Sequence, residues 1–90
     1  MSKFELNDRG EGHFALNGEM TFETAERILV ASEEPFEQHT RIEVDLEGVT
    51  RADSAGLALL LEWITWANHT VREIRFLSMP ERILAIARTT

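Results

Sequence analysis

Cysteine is absent from this 90-residue sequence. Its absence excludes disulfides, thiolate nucleophiles and Cys-based metal sites. Lysine is nearly absent: Lys3 is the only one, and the other basic residues are arginine. Sixteen acidic residues stand against nine basic ones, a formal net charge of −7 at pH 7. That shortage of positive charge argues against nucleic acid, whose binding relies on clustered Lys and Arg, and against electrostatic docking on anionic lipid. The arginine preference leaves two readings open, ion pairing to partner carboxylates or a biased genome composition. Long hydrophobic runs are also missing. The longest, Gly56 to Leu61, is far short of the roughly 20 residues a membrane span needs. Met1 to Asp8 lacks the continuous apolar core of a signal peptide. The expectation is a soluble cytoplasmic protein with no direct membrane insertion.

Apolar residues make up 43% of the chain and charged residues 28%, the balance of an ordered globular protein. The length fits one domain over residues 1–90, burying about 60–65% of its unfolded surface.

Phe4 to Asp8 can be read as a short edge strand or a frayed end. Gly12 to Leu16 lies between a Gly-Glu-Gly turn and Asn17-Gly18 and reads as a strand. From Phe22 the period lengthens to that of a helix, with Phe22, Ala25, Ile28, Leu29 and Ser32 on one face. Thr21 is its expected N-cap and Glu33-Glu34-Pro35 its expected end. Arg41 to Leu46 alternates strictly, predicting a strand with residues 42, 44 and 46 inward, and Val49 continues the apolar side. A helix follows from Ser54, its expected N-cap, to about Asn68. Glu73 to Leu77 reads as a strand. Met79-Pro80 then leads into a short helix carrying Ile83, Leu84, Ile86 and Ala87. Strand and helix alternate three times, which predicts an α/β fold with a largely parallel sheet reached by right-handed crossovers.

The helix from Ser54 is apolar on more than one side. On a wheel of about 100° per residue, Leu57, Leu60, Leu61, Ile64 and Ala67 form a continuous face expected to pack on the sheet. Leu59, Trp63 and Trp66 fall nearly opposite, and two readings are open for them. They form an outward binding surface, concentrated on Leu59 and Trp63, or a neighbouring segment folds over them. Gly56 costs helix stability relative to alanine. It allows the close approach of another backbone, from a partner or from this same domain.

Val44-Asp45-Leu46-Glu47-Gly48-Val49-Thr50, followed by Asp53-Ser54-Ala55-Gly56-Leu57-Ala58-Leu59-Leu60-Leu61, resembles the signature of the STAS domain family. Leu16-Asn17-Gly18-Glu19-Met20 is similar to that family's first strand-to-helix turn. The resemblance extends over most of the chain. It implies an α/β, STAS-like fold: a small mostly parallel or mixed β-sheet covered by α-helices. Anti-sigma factor antagonists of the family usually read Asp-Ser-Ser/Thr-Gly and are phosphorylated on the residue before the glycine. Here that residue is Ala55, which has no hydroxyl. The run from Asp53 to Trp63 is instead similar to the small STAS subunits of Mla-type lipid-asymmetry ABC transporters of Gram-negative bacteria. In those subunits a Ser or Thr directly after the Asp, here Ser54, lies at the contact with the transporter's ATPase. The resemblance thus implies a non-enzymatic accessory subunit, without cofactor or small-molecule substrate, bound to an ABC transporter ATPase at the inner membrane. The alternative is an anti-sigma factor antagonist-type signalling module. The partner-binding residues expected from motif and wheel together are Asp53, Ser54, Ala55, Gly56, Leu59 and Trp63.

Enzymatic readings find little support. His13, His39 and His69 sit on different elements without metal-ligand spacing. Asp53-Ser54 lacks a Gly-x-Ser-x-Gly elbow or a histidine placed by sequence to serve it. Asp45 and Asp53 could flank a Mg²⁺ ion, but the phosphate-cradling glycine loop and a suitably placed lysine are missing. Asp53 is read as ordering its loop through backbone hydrogen bonds.

Overall fold

Alternation and turn chemistry build the sheet first, and the computed structural model describes residues 3–89 of it and its helices. The opening strand β1 (Phe4–Gly10) turns through Glu11 and Gly12 into β2 (His13–Met20), its antiparallel partner, with Leu6 opposite Leu16. Gly12 has a positive φ, and a Cβ there would collide with the carbonyl oxygen of Arg41. This corner therefore requires glycine twice over. Helix α1 (Ala25–Glu37) crosses back to β3 (Arg41–Asp45), which pairs in parallel with the first half of β2. A short strand, β4 (Val49–Ala52), then runs parallel to the last residues of β2. Helix α2 (Ser54–His69) leads to β5 (Glu73–Leu77), parallel to β3, and α3 (Glu81–Arg88) follows. The spatial order is β1-β2-β3-β5, with β4 beside β2. The sheet is mixed: β1 is antiparallel and the other pairings are parallel.

Register sorts the two faces. Phe14, Val44 and Phe76 align across three strands toward the helices. The next row, His13, Glu43 and Arg75, points the other way because successive strand residues alternate. That second face carries ion pairs such as Arg9–Asp45 and Arg41–Glu73. The Arg41–Glu73 pair is largely solvated and Asp45 is half-buried beside an exposed Arg9. Surface pairs of this kind are worth about 0–1 kcal/mol each.

The core lies between the sheet and the helices, with α2 packed between α1 and α3. Its centre is Trp63, only 1% exposed. The indole packs 5.3 Å from the Phe36 ring and 6.1 Å from that of Phe76. Its Nε1–H donates to Ser32 Oγ at 2.9 Å, and that hydroxyl donates to the Leu29 carbonyl at 2.7 Å. A buried indole N–H needs such an acceptor, and Ser32 on α1 provides it.

These contacts rotate α2 from the expected orientation: Leu60 and Ala67 are buried as expected and Leu57 half-buried, but Leu61 and Ile64 are not. Gly56, Leu59, Leu60, Trp63 and Ala67 form its buried stripe, while Leu61 and Ile64 are 54% and 38% exposed. Leu59 and Trp63, expected as partner-binding residues, are core residues. Of the two readings left open for them, coverage by a neighbouring segment holds, and for Trp63 that segment is α1. The physical reason is what stands opposite: the Trp63 indole finds the Phe36 ring of α1, the Phe76 ring of β5 and an acceptor in Ser32, a combination that a leucine or isoleucine could not use. Helix α1 differs too. It starts at Ala25 behind Thr24 rather than at Phe22 behind Thr21, so Phe22 leaves the expected core face and stands 86% exposed. It also runs through Pro35 to Glu37, where burial of Phe36 holds the last turn helical. No helix among the described residues is long and apolar enough to cross a membrane.

Candidate functional site at the start of helix α2

The segment from Ala52 to Gly56 turns a strand end into a helix start. Asp53 performs the turn, with extended φ −137° and ψ −167°, while Ser54 is already helical. The cap is therefore Asp53 and not Ser54: its Oδ1 accepts from the Ala55 N–H at 2.8 Å. A carboxylate at this position satisfies an otherwise orphaned donor and complements the positive end of the helix dipole. The second carboxylate oxygen, Oδ2, accepts from the Phe22 N–H at 3.1 Å. The Asp53 N–H donates to the Met20 carbonyl at 3.3 Å, and its own carbonyl accepts from Gly56 N–H at 2.9 Å. The side chain of Asp53 is thus committed inside the fold, in the loop-ordering role read for it.

Gly56 serves the same junction. A Cβ there would lie 2.7 Å from the Met20 carbonyl oxygen and 3.0 Å from Ile83 Cδ1. The approaching backbone is that of β2 in this chain, which decides between the two readings left open for Gly56. Ala55 is half-buried and carries no hydroxyl. Ser54 is exposed, and its hydroxyl makes no hydrogen bond among the described residues. Of these four motif residues, Ser54 presents its side chain to solvent most fully, and Asp53 and Gly56 hold the frame behind it.

From Ser54 an apolar strip runs along the outer side of α2. Leu57, Leu61 and Ile64 follow at intervals of three, four and three residues, which keeps them on one helical face. Leu57 is half-buried at the inner edge of the strip, and Leu61 and Ile64 are open to solvent. Phe22 adds a further apolar group beside Asp53. On the other side of Ser54, β4 and α3 frame an open groove of about 560 Å³, lined by Arg51, Asp53, Pro80 and Arg82 among others. The sequence reading placed Leu61, Ile64 and Phe22 on core-facing sides, and all three stand exposed. Helical period groups Leu61 with Ile64 but does not say which apolar face of the helix is covered.

One ionisable group near this surface is shifted by its neighbour. The Lys3 ammonium donates to the Glu23 carboxylate at 2.9 Å and, with its charge, holds the Glu23 pKa below the ordinary 4.5. Among the described residues, no set of three or more His, Asp or Glu could hold a metal ion. What the arrangement offers is a shaped, partly apolar protein surface at a rigid helix start.

Comparison with known proteins agrees with that character. The family model described as "Mlab, STAS domain" matches residues 6–90. No curated protein matches the chain. Among solved structures, the chain is similar to the anti-sigma factor antagonist SpoIIAA in its unphosphorylated form, with a TM-score of 0.70 and 19% identity over 97% of this chain and 83% of that one. The Bacillus cell fate determinant SpoIIAA in the phosphorylated form gives a TM-score of 0.71 and 19% identity, covering 96% and 81%. Mglu gives 0.63 and 21%, covering 87% of this chain but 20% of that one. At such identities the likeness is one of fold: a five-stranded mixed sheet with helices.

Proposed function

Because this chain belongs to the STAS domain family, through a match to the model that bears the MlaB name, we propose that it is the accessory STAS subunit of a phospholipid-transport ABC system. STAS domains are protein-interaction modules, in general non-enzymatic regulatory or accessory ones. In this reading the chain binds the transporter's ATPase on the cytoplasmic side of the inner membrane and supports assembly and activity of the complex. It is held at the membrane through that contact.

The observation that carries the reading is the exposed strip on α2: Ser54 at its tip, then Leu57, Leu61 and Ile64. A helix that only covered a sheet would be polar on this side. An apolar outer stripe, starting at the one fully presented motif side chain, suits a partner that reads helix and tip together. Asp53, Ala55 and Gly56 act in the contact by shaping the tip. Leu59 and Trp63 support it from the core and do not touch the partner.

The family's alternative, an anti-sigma factor antagonist-type module, is favoured by the fold it has in common with SpoIIAA. It is disfavoured by Ala55, which cannot carry a phosphate ahead of the glycine. Capture from detergent-solubilised membranes of the host separates the two. Tagged wild-type protein is expected to recover an ABC ATPase, and Ser54→Arg and Leu61→Glu are each expected to lose it while keeping their thermal midpoints. Recovery of a soluble kinase-like protein in its place would transfer the assignment to the signalling module.

A further inference from the structure

Phe22 is the most exposed aromatic among the described residues, at 86%, yet the turn that carries it is held by several hydrogen bonds. Thr24 ties the turn around it. The Thr24 hydroxyl accepts from the Thr21 N–H at 2.9 Å and donates to the Glu19 carbonyl at 2.9 Å. The N–H groups of Thr24 and Ala25 both donate to the Thr21 carbonyl, at 2.9 and 2.8 Å. The turn is then bound to the start of α2 at three points. Met20 pairs with Ala52, the Asp53 N–H reaches the Met20 carbonyl, and the Phe22 N–H reaches Asp53 Oδ2.

A phenyl ring held in water on a rigid turn loses little further freedom when a partner covers it, so burying it yields most of its hydrophobic gain. We propose that Phe22 is an anchor of the ATPase contact, inserting into an apolar pocket of that partner, and that Asp53 is its positioning residue. This rests on the reading of the α2 start as the ATPase-binding surface and adds to it a second segment, β2–α1, that the motif does not contain. Asp53 divides its carboxylate between two tasks: Oδ1 starts the helix that presents Ser54, and Oδ2 fixes the turn that presents Phe22. One side chain thereby sets the spacing between both contacts.

The test measures binding of the full chain to the detergent-purified transporter complex, together with thermal midpoints. Phe22→Ala is expected to weaken binding about tenfold or more with an unchanged midpoint, and Phe22→Leu to retain most of it. Asp53→Asn keeps an acceptor for Ala55 but turns an amide donor toward the Phe22 N–H. It is expected to weaken binding in the wild type and to add little in the Phe22→Ala background. Wild-type protein that fails to bind the ATPase overturns the occupant and the functional reading with it. Wild-type binding that survives Phe22→Ala within about twofold overturns the anchor alone. Losses that multiply fully in the double variant overturn the positioning role of Asp53. If Asp53→Asn unfolds, amide exchange of Phe22 in the wild type decides: protection supports the bond to Asp53, and exchange at the rate of an open loop overturns it.

Discussion

The two faces of α2 have nearly the same composition and opposite fates. The inner one carries Gly56, Leu59, Leu60, Trp63 and Ala67; the outer one carries Ser54, Leu57, Leu61 and Ile64. Each would serve as a core stripe by its side chains alone. They differ in what stands opposite. The inner stripe meets aromatic rings from α1 and β5 and an acceptor for the Trp63 indole, whereas Leu61 and Ile64 remain largely uncovered. The rest of the helix surface is polar, with Glu62, Thr65, Asn68 and His69 exposed, so the uncovered apolar groups are confined to the strip beside them.

Substitutions on the two faces should therefore separate stability from binding. The largest effect is expected for Trp63→Ala, about 3–5 kcal/mol lost in urea unfolding, since it empties the centre of the core and strands the Ser32 hydroxyl's partner site. A loss below about 1 kcal/mol would mean that the indole is not packed as described. Gly56→Ala comes next. The new methyl would press on the Met20 carbonyl oxygen at 2.7 Å, and the resulting shift should cost about 1–3 kcal/mol despite the better helix propensity of alanine. A raised thermal midpoint would refute that account of the junction.

On the outer face, Leu61→Ser should alter stability by no more than about 0.5 kcal/mol while sharply reducing ATPase capture. A large destabilisation would show that this face is covered within the chain. The smallest effect concerns Glu23, on the rim of the Phe22 turn. Its folded-state pKa is depressed by Lys3, so the pair stabilises the fold above the unfolded value near 4.5 and loses that contribution as pH falls through the lower folded value. Thermal midpoints of wild type and Glu23→Gln, followed from about pH 7 to about pH 3, should converge on acidification. A gap that widened would reverse the sign.

Much of the architecture was legible in the chain. The strict alternation of Arg41 to Leu46 gave β3, with Ile42, Val44 and Leu46 buried as expected. The Glu73–Leu77 strand and the α3 helix after Pro80 also stand where turn chemistry put them. Strand β4 was not legible as a strand, because four residues are too few to display a period. The start of α1 was misplaced because Thr21 and Thr24 are equally good cap residues. Thr24 precedes the first helical residue without a side-chain cap bond. Its hydroxyl accepts from the Thr21 N–H and donates to the Glu19 carbonyl, closing a turn before the helix that the sequence does not announce. The same holds at α2, where Asp53 and Ser54 both suit a cap and the backbone direction at residue 53 selects the aspartate.

The candidate site divides in the same way. The motif Asp53-Ser54-Ala55-Gly56 could be located from residue order alone, since a strand end followed by a cap and a helix is a local pattern. The roles inside it could not be read there. The partners of Asp53 and Gly56, Phe22 and Met20, are some thirty residues distant in the chain and become neighbours only when β4 pairs with the end of β2.

By itself, the sequence determined the class of fold, the order of most elements and the place of the motif at a helix start, because periodicity, capping and turn chemistry act over a few residues. The motif's identity came from its resemblance to a family signature. Tertiary structure decided which apolar face of α2 is core, which motif side chain is presented, and that Phe22 stands in water beside it. Those are questions of what lies opposite a side chain, and in a sheet fold the opposite element comes from elsewhere in the chain.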